Sequence, residues 1–264
     1  GDKPLQMGQQ YFARVSAMNE IGFSPASMSL TSQKPMVVPG PPTSVVLTSA
    51  AKDELKVTFN PPVSDGGDAI TSYRIEYSTS LLFTSVKIVE LTYLEGGSPF
   101  SKTIKGLTTG TQYYVRVAAI NSQGVGAFST STPDQMNPHE SPAGPANVKL
   151  RVTSNSMLTV SFDLPDYNGG DAVTMFKVEW DTSATFTNTK VPMPHKGSVE
   201  IDASTQRSHT ITLLSEGQAY YVRVYAKNNA GWGAPAVSSP AYAIPALAVP
   251  GKPHTISAAK GDST

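Results

Sequence analysis

The chain has 264 residues, with 20 basic and 20 acidic side chains and no cysteine. Formal neutrality without any Lys/Arg run argues against nucleic-acid binding, which needs a clustered positive face. The absent thiol excludes disulfides, thiol catalysis and cysteine-ligated metals, and no stretch approaches the roughly 20 apolar residues of a membrane span.

In chain order, the first recognisable segment is "LQMGQQYFARVSAMN", Leu5 to Asn19. Beyond a proline-rich stretch, "ELKVTF" sets Leu55, Val57 and Phe59 against Lys56 and Thr58, the period-2 pattern of a half-buried strand. "NPPVSDGGDAI" (Asn60 to Ile70) is a turn, because two prolines and two glycines cannot continue regular structure. "YRIEYS" then places Tyr73, Ile75 and Tyr77 on one face and Arg74 and Glu76 on the other. A long middle segment separates Tyr77 from Leu107 and ends in a short strand, "FSKTIKGL". "LTTGTQYYVRVAAIN" (Leu107 to Asn121) buries Tyr113, Val115, Val117 and Ala119 and turns Tyr114 and Arg116 outward. "GAFSTST" (Gly126 to Thr132) closes this set.

The same order then recurs. "MLTVSF" buries Leu158, Val160 and Phe162, and "DLPDYNGGDAV" (Asp163 to Val173) is the turn. "FKVEWD" buries Phe176, Val178 and Trp180. "LSEGQAYYVRVYAKN" (Leu214 to Asn228) buries Tyr220, Val222, Val224 and Ala226. No helix-period apolar stripe of useful length interrupts the strands.

Repetition at a fixed period decides the architecture. Tyr11, Tyr113 and Tyr220 stand 102 and 107 residues apart, each behind an L-x-x-G-x-x-Y lead-in. A second marker begins at Pro39, Ala143 and Pro250. The chain is therefore expected to hold the C-terminal part of one repeat (1–36), complete domains at 37–141 and 142–248, and the N-terminal part of a further repeat (249–264), a window on a longer array. Seven short strands per roughly 100 residues indicate an immunoglobulin-like sandwich. The expected fold class is all-β, a tandem of seven-stranded sandwiches.

These residues resemble the fibronectin type III family. The likeness rests on the Asn60–Tyr77 and Asp163–Trp180 blocks and on the L-x-x-G-x-x-Y-x-V-R-V-x-A-x-N pattern, which is complete at Leu107 and Leu214 and looser at Leu5. It covers essentially the whole chain and speaks to fold more than to function. Where the family often carries Trp in the second strand, Phe59 and Phe162 stand instead. The resemblance implies that Tyr11, Tyr113 and Tyr220 are structural tyrosine corners, whose phenols anchor a strand crossover on upstream backbone. Twelve of the 21 prolines gather at the joints between repeats, and proline-rich connectors are extended and semi-rigid.

No catalytic constellation emerges. His139, His195, His209 and His254 are scattered, none with a partner at metal-ligand spacing. Asp65 and Asp68, and Asp163, Asp166 and Asp171, flank glycines. Such carboxylates either ligate calcium, which wants six to eight oxygens, or bond local backbone in a turn. "KGDS" (Lys260 to Ser263) resembles an integrin-recognition tripeptide, away from the loop where the family's adhesive tripeptide sits. No catalytic, cofactor or metal residue is assigned.

Partner-contact candidates lie in two places. In the loop after the signature strand they are Val125, Phe128 and Trp232. Trp232 stands between two glycines, and either meets a partner as an exposed aromatic anchor or packs within the chain. The middle segments of both repeats begin T-S-x-x-F-T. The first carries Leu81, Leu82, Phe83, Val86, Ile88, Leu91 and Tyr93, more apolar surface than a lone edge strand hides. Of these, Phe83 and Tyr93 are singled out for lateral contacts, against the alternative of local packing. The leading expectation is a non-enzymatic structural or adhesive array of a large extracellular or cell-surface protein, such as a filament or sheath subunit. It would contact neighbouring repeats and other proteins, with self-assembly into a polymer as one form. The alternatives are spacer domains carrying the head of a larger enzyme or receptor, and an intracellular cytoskeletal array.

Overall fold

A computed structural model of the chain describes residues 3–92, 97–189 and 195–246. Every element among them is a β-strand. The chain falls into two units, residues 1–140 and 141–264.

The first unit opens with four two-residue strands, β1 (Arg14–Val15), β2 (Met18–Asn19), β3 (Gly22–Phe23) and β4 (Ser27–Met28), paired β1 with β4 and β2 with β3. A complete sandwich follows. One sheet holds β8 (Lys87–Thr92), β7 (Ser72–Ser78), β10 (Tyr113–Asn121) and β12 (Ser129–Met136) in that order, with β11 (Gly124–Val125) hairpinned onto β10. The other holds β5 (Thr43–Ala51), β6 (Glu54–Asn60) and β9 (Phe100–Ile104). All pairings are antiparallel except one parallel bridge, Thr132 to Val46, which joins the sheets where β5 meets β12. Both ladders of β5 with β6 and β10 with β12 are broken by bulges.

The second unit repeats this plan. One sheet runs β16 (Lys196–Asp202), β15 (Met175–Asp181), β18 (Tyr220–Asn228) and β20 (Ala236–Ala243), with β19 (Gly231–Trp232) on β18. The other runs β13 (Ala146–Ser154), β14 (Met157–Asp163) and β17 (Ser208–Ile211), and the lone parallel bridge is Lys149 to Ser239.

The alternating strands place their apolar residues in the two cores. Leu55, Val57, Phe59, Ile75, Val115 and Val117 are buried in one sandwich; Leu158, Val160, Phe176, Val178, Val222 and Val224 are buried in the other. The phenylalanines that stand on the second strand pack against other rings of the core. Phe59 lies 4.9 Å from Tyr73 and 5.9 Å from Phe100 between centroids, and Phe162 lies 4.8 Å from Phe176. Trp180 joins the second core from β15, stacked near His209 at 6.4 Å. Its indole lies against Gly197, its register partner on β16. A Cβ on Gly197 would stand 2.6 Å from Cε2 and 2.8 Å from Cη2 of that ring.

One expectation of the alternation fails. Glu76, expected at the solvent face of β7, is only 7% exposed. The cause is not strand register but a second layer of side chains lying over that face.

Candidate interaction face

The signature tyrosines occupy equivalent positions. The phenol of Tyr11 accepts the Gln6 N–H at 2.8 Å, that of Tyr113 the Thr108 N–H at 3.1 Å, and that of Tyr220 the Ser215 N–H at 3.0 Å, each five residues upstream. The glycine of each lead-in has φ between 73° and 76° and donates to a proline carbonyl, Pro35, Pro138 or Pro245. The lead-in is thus a positive-φ turn stapled at both ends, and the repeated sequence specifies it three times.

The layer over β7 and β10 is built on Arg116. Its guanidinium meets Glu76 Oε2 at 2.8 Å through Nε and 2.7 Å through Nη2. Phe83 covers it from 4.2 Å and Phe128 from 4.4 Å, so a flat cation lies between two rings. The second sandwich repeats the device. Arg223 meets Glu179 Oε2 at 2.8 Å through both Nε and Nη2, with Phe186 at 4.0 Å. Lys177 takes the other carboxylate oxygen at 2.8 Å. Burial pushes the Glu179 carboxyl up, but its hydrogen bonds to Lys177 and Arg223 outweigh this and hold it below the usual carboxylate range.

This gives the T-S-x-x-F-T motif a physical meaning. Phe83 donates its N–H to Ser80 O at 2.9 Å, and Phe186 to Ser183 O at 3.0 Å. Both phenylalanines have positive φ, 51° and 55°. The turn is tight because it must fold the ring back over the sheet onto the arginine. Phe83 and Phe128 are therefore parts of a stack, with Phe83 half-buried in it.

Trp232 pairs with Lys227 in the β18–β19 hairpin and is half-buried. The ammonium groups of Lys177 and Lys227 each lie 5.4 Å from its ring. Lys177 also lies 4.3 Å from the Tyr225 ring. Val125 pairs with Ile120 at the matching place in the first sandwich. The glycine beyond each of these residues serves the incoming chain: a Cβ on Gly126 would overlap the Pro39 carbonyl oxygen, and one on Gly233 that of Pro142.

The edge strand β8 and the turn before it divide their apolar residues. Phe83, Val86 and Leu91 are half-buried. Leu81, Leu82 and Ile88 are 61%, 81% and 53% exposed. In the second sandwich Ala184 and Thr185 stand in place of the leucine pair. Tyr93, His254 and the Lys260–Ser263 tetrapeptide lie outside the described residues.

The acidic loops are held by backbone. Asp65 Oδ1 accepts the Gly67 N–H at 2.8 Å, Asp68 Oδ2 the Ser122 N–H at 2.9 Å, and Asp171 Oδ2 the Asn229 N–H at 3.2 Å. Hydrogen bonds from Ser122 hold the Asp68 carboxyl below its usual range. Asp163 accepts from the Asn147 side chain at 2.8 Å. The geometry is that of turn carboxylates, and among the described residues no group of three or more His, Cys, Asp or Glu could hold a metal ion.

Two runs of the chain, residues 40–135 and 143–242, match the family model of the fibronectin type III domain. The chain belongs to the fibronectin type III family. Among curated relatives, the fibronectin type-III domain-containing protein 3A of Homo sapiens is 29% identical over 239 residues, 87% of this chain and 18% of that protein. The ankyrin repeat and fibronectin type-III domain-containing protein 1 of Homo sapiens is 41% identical over 104 residues, 39% of this chain and 9% of that protein. Protein sidekick-2 of Mus musculus is 31% identical over 169 residues, 63% of this chain and 8% of that protein. The chain thus spans less than a fifth of the length of these fibronectin type III relatives. The crystal structure of chicken CNTN1 FN1-FN3 domains aligns with a TM-score of 0.49 and 22% identity, covering 91% of this chain and 77% of that one.

Proposed function

We propose that this segment is a non-enzymatic structural or adhesive part of a large cell-surface or extracellular protein, acting through protein–protein contacts. The observation that carries the reading is the uneven use of side chains in the first sandwich. Its acidic loop residues Asp65 and Asp68 bond backbone, and the buried Glu76 is matched by Arg116. Leu81, Leu82 and Ile88 stay uncovered on one sheet edge. Apolar side chains beside an open strand edge suit docking against another protein surface. Tandem membership of the fibronectin type III family supports an adhesive setting. Lateral contact through this edge is the route by which the parent chain would build a filament or sheath.

The test is electron microscopy of the native polypeptide carrying this segment, beside a variant with Leu81, Leu82 and Ile88 changed to Ser, and with bead-clustering as a second readout. Ordered filaments, sheets or bead clusters that the variant loses support the reading. Isolated strings ending in a different globular head, unable to cluster beads, overturn it and move the search for function to that head.

A further inference from the structure

The "SDGGD" loop between β6 and β7 of the first complete sandwich is closed on its outer side by other backbone. Gly66 and Gly67 both sit at positive φ, 80° and 79°. A Cβ on Gly66 would overlap the Val37 carbonyl oxygen and stand 2.8 Å from that of Val38. A Cβ on Gly67 would overlap the Gly8 nitrogen and stand 2.9 Å from Gly8 Cα and the Met7 carbonyl carbon. In return, a Cβ on Gly8 would stand 3.1 Å from Gly67 Cα. Backbone meets backbone here: a Cβ on Gly66 or Gly67 has no room, and one on Gly8 is crowded as well as strained by its φ of 76°.

Gly8 is the glycine of the first tyrosine-corner lead-in, so the surface seated on the loop is the corner of the preceding repeat. The segment between them is tied on several sides. Val37 donates to Gly66 O at 2.9 Å, and Asn121, itself buried, donates through Nδ2 to both Val37 O and Asp65 O at 2.8 Å. Gly40 donates to Ser64 O at 2.9 Å.

We infer that the Gly66–Gly67 loop is a docking surface for the preceding repeat of the same chain, receiving the Gly8 corner and fixing the joint between residues 3–36 and the first complete sandwich. That backbone-to-backbone seat and the Asn121 clamp hold the joint in addition to the prolines around it. The seat stands independently of the partner contacts proposed above, since it needs no other protein.

The experiment is hydrogen exchange by mass spectrometry on the intact parent polypeptide, with substitutions read across the joint. Gly8→Val is read at residues 64–68, and Gly67→Val at residues 6–12, so strain within the substituted turn is not what is measured. Each is expected to raise exchange on the opposite side about tenfold, as an opened local contact does. Gly106→Val is the control: it has the same sign of φ, 71°, but open space around its Cβ, and it should leave both peptides unchanged. If either glycine variant fails to fold, Asn121→Ala, which removes both Nδ2 hydrogen bonds to Val37 O and Asp65 O, should raise exchange at residues 6–12 in the same direction. Changes confined to the substituted repeat, or equal changes from Gly106→Val, would show an ordinary turn and overturn the inference.

Discussion

Gly197→Ala is the most decisive single test of the second core. The added methyl would lie within 3 Å of Cε2 and Cη2 of Trp180 and closer still to Cζ2. The ring cannot retreat freely, because it belongs to the buried cluster and stacks near His209. Overpacking of this kind costs about 1–3 kcal/mol. The general gain from replacing a strand glycine, roughly 0.5–1 kcal/mol, offsets part of it. A net loss of about 1 kcal/mol is expected. Trp180→Phe removes the part of the ring that the methyl strikes, and with it an indole N–H that is buried without an acceptor. In that background Gly197→Ala should be neutral or slightly stabilising, a coupling of about 1–2 kcal/mol between the two sites. Both tryptophans of the chain, Trp180 and Trp232, lie in the second sandwich. Emission during urea unfolding therefore follows that sandwich, and Trp232 still reports when Trp180 is gone. At a slope of about 1–1.5 kcal/mol per molar urea, the midpoint should fall by about 0.7–1 M in the single variant. An equal fall in both backgrounds, or none in either, would refute the packing argument.

Three further outcomes follow from named geometry. Tyr220→Phe deprives the Ser215 N–H of its acceptor and should cost about 1 kcal/mol in the same unfolding assay. Leu213 holds φ 61° while 74% exposed, where the first sandwich has Gly106 at 71°. Leu213→Gly should stabilise by about 0.5–1 kcal/mol, since relief of roughly 1–2 kcal/mol of left-handed strain exceeds the added freedom of the unfolded chain. Glu179 has a folded-state pKa below its unfolded one. Its stabilisation is therefore complete above the unfolded value and lost as pH falls through the folded one. Glu179→Gln should flatten the acid limb of stability measured from about pH 5 downward, and an unchanged limb would show that Lys177 and Arg223 do not favour the charged form.

The sequence makes the cores legible because alternation sorts each strand residue to one face or the other. Leu55, Val57 and Phe59, or Tyr220, Val222 and Val224, fall inside from period alone, and they are buried. The two-residue strands β11 and β19 leave no such trace, since two residues carry no period. The same rule says nothing about what lies on top of the outward face. Alternation points Glu76 outward, correctly as to direction and wrongly as to environment. Its cover comes from Phe83, in a turn more than thirty residues before Arg116. T-S-x-x-F-T is visible twice in the sequence, but its purpose depends on where β10 passes in space. For the candidate residues this has a direct consequence. Phe83 and Phe128 are engaged with Arg116, and Trp232 with two lysines, so a partner reaching them would meet a preformed, partly covered stack. Leu81, Leu82 and Ile88 have no such cover. On the edge of the first complete sandwich, exposure rather than aromaticity therefore favours the leucine pair and Ile88 over Phe83 and Phe128, since contact there would cover apolar surface that is still open to water.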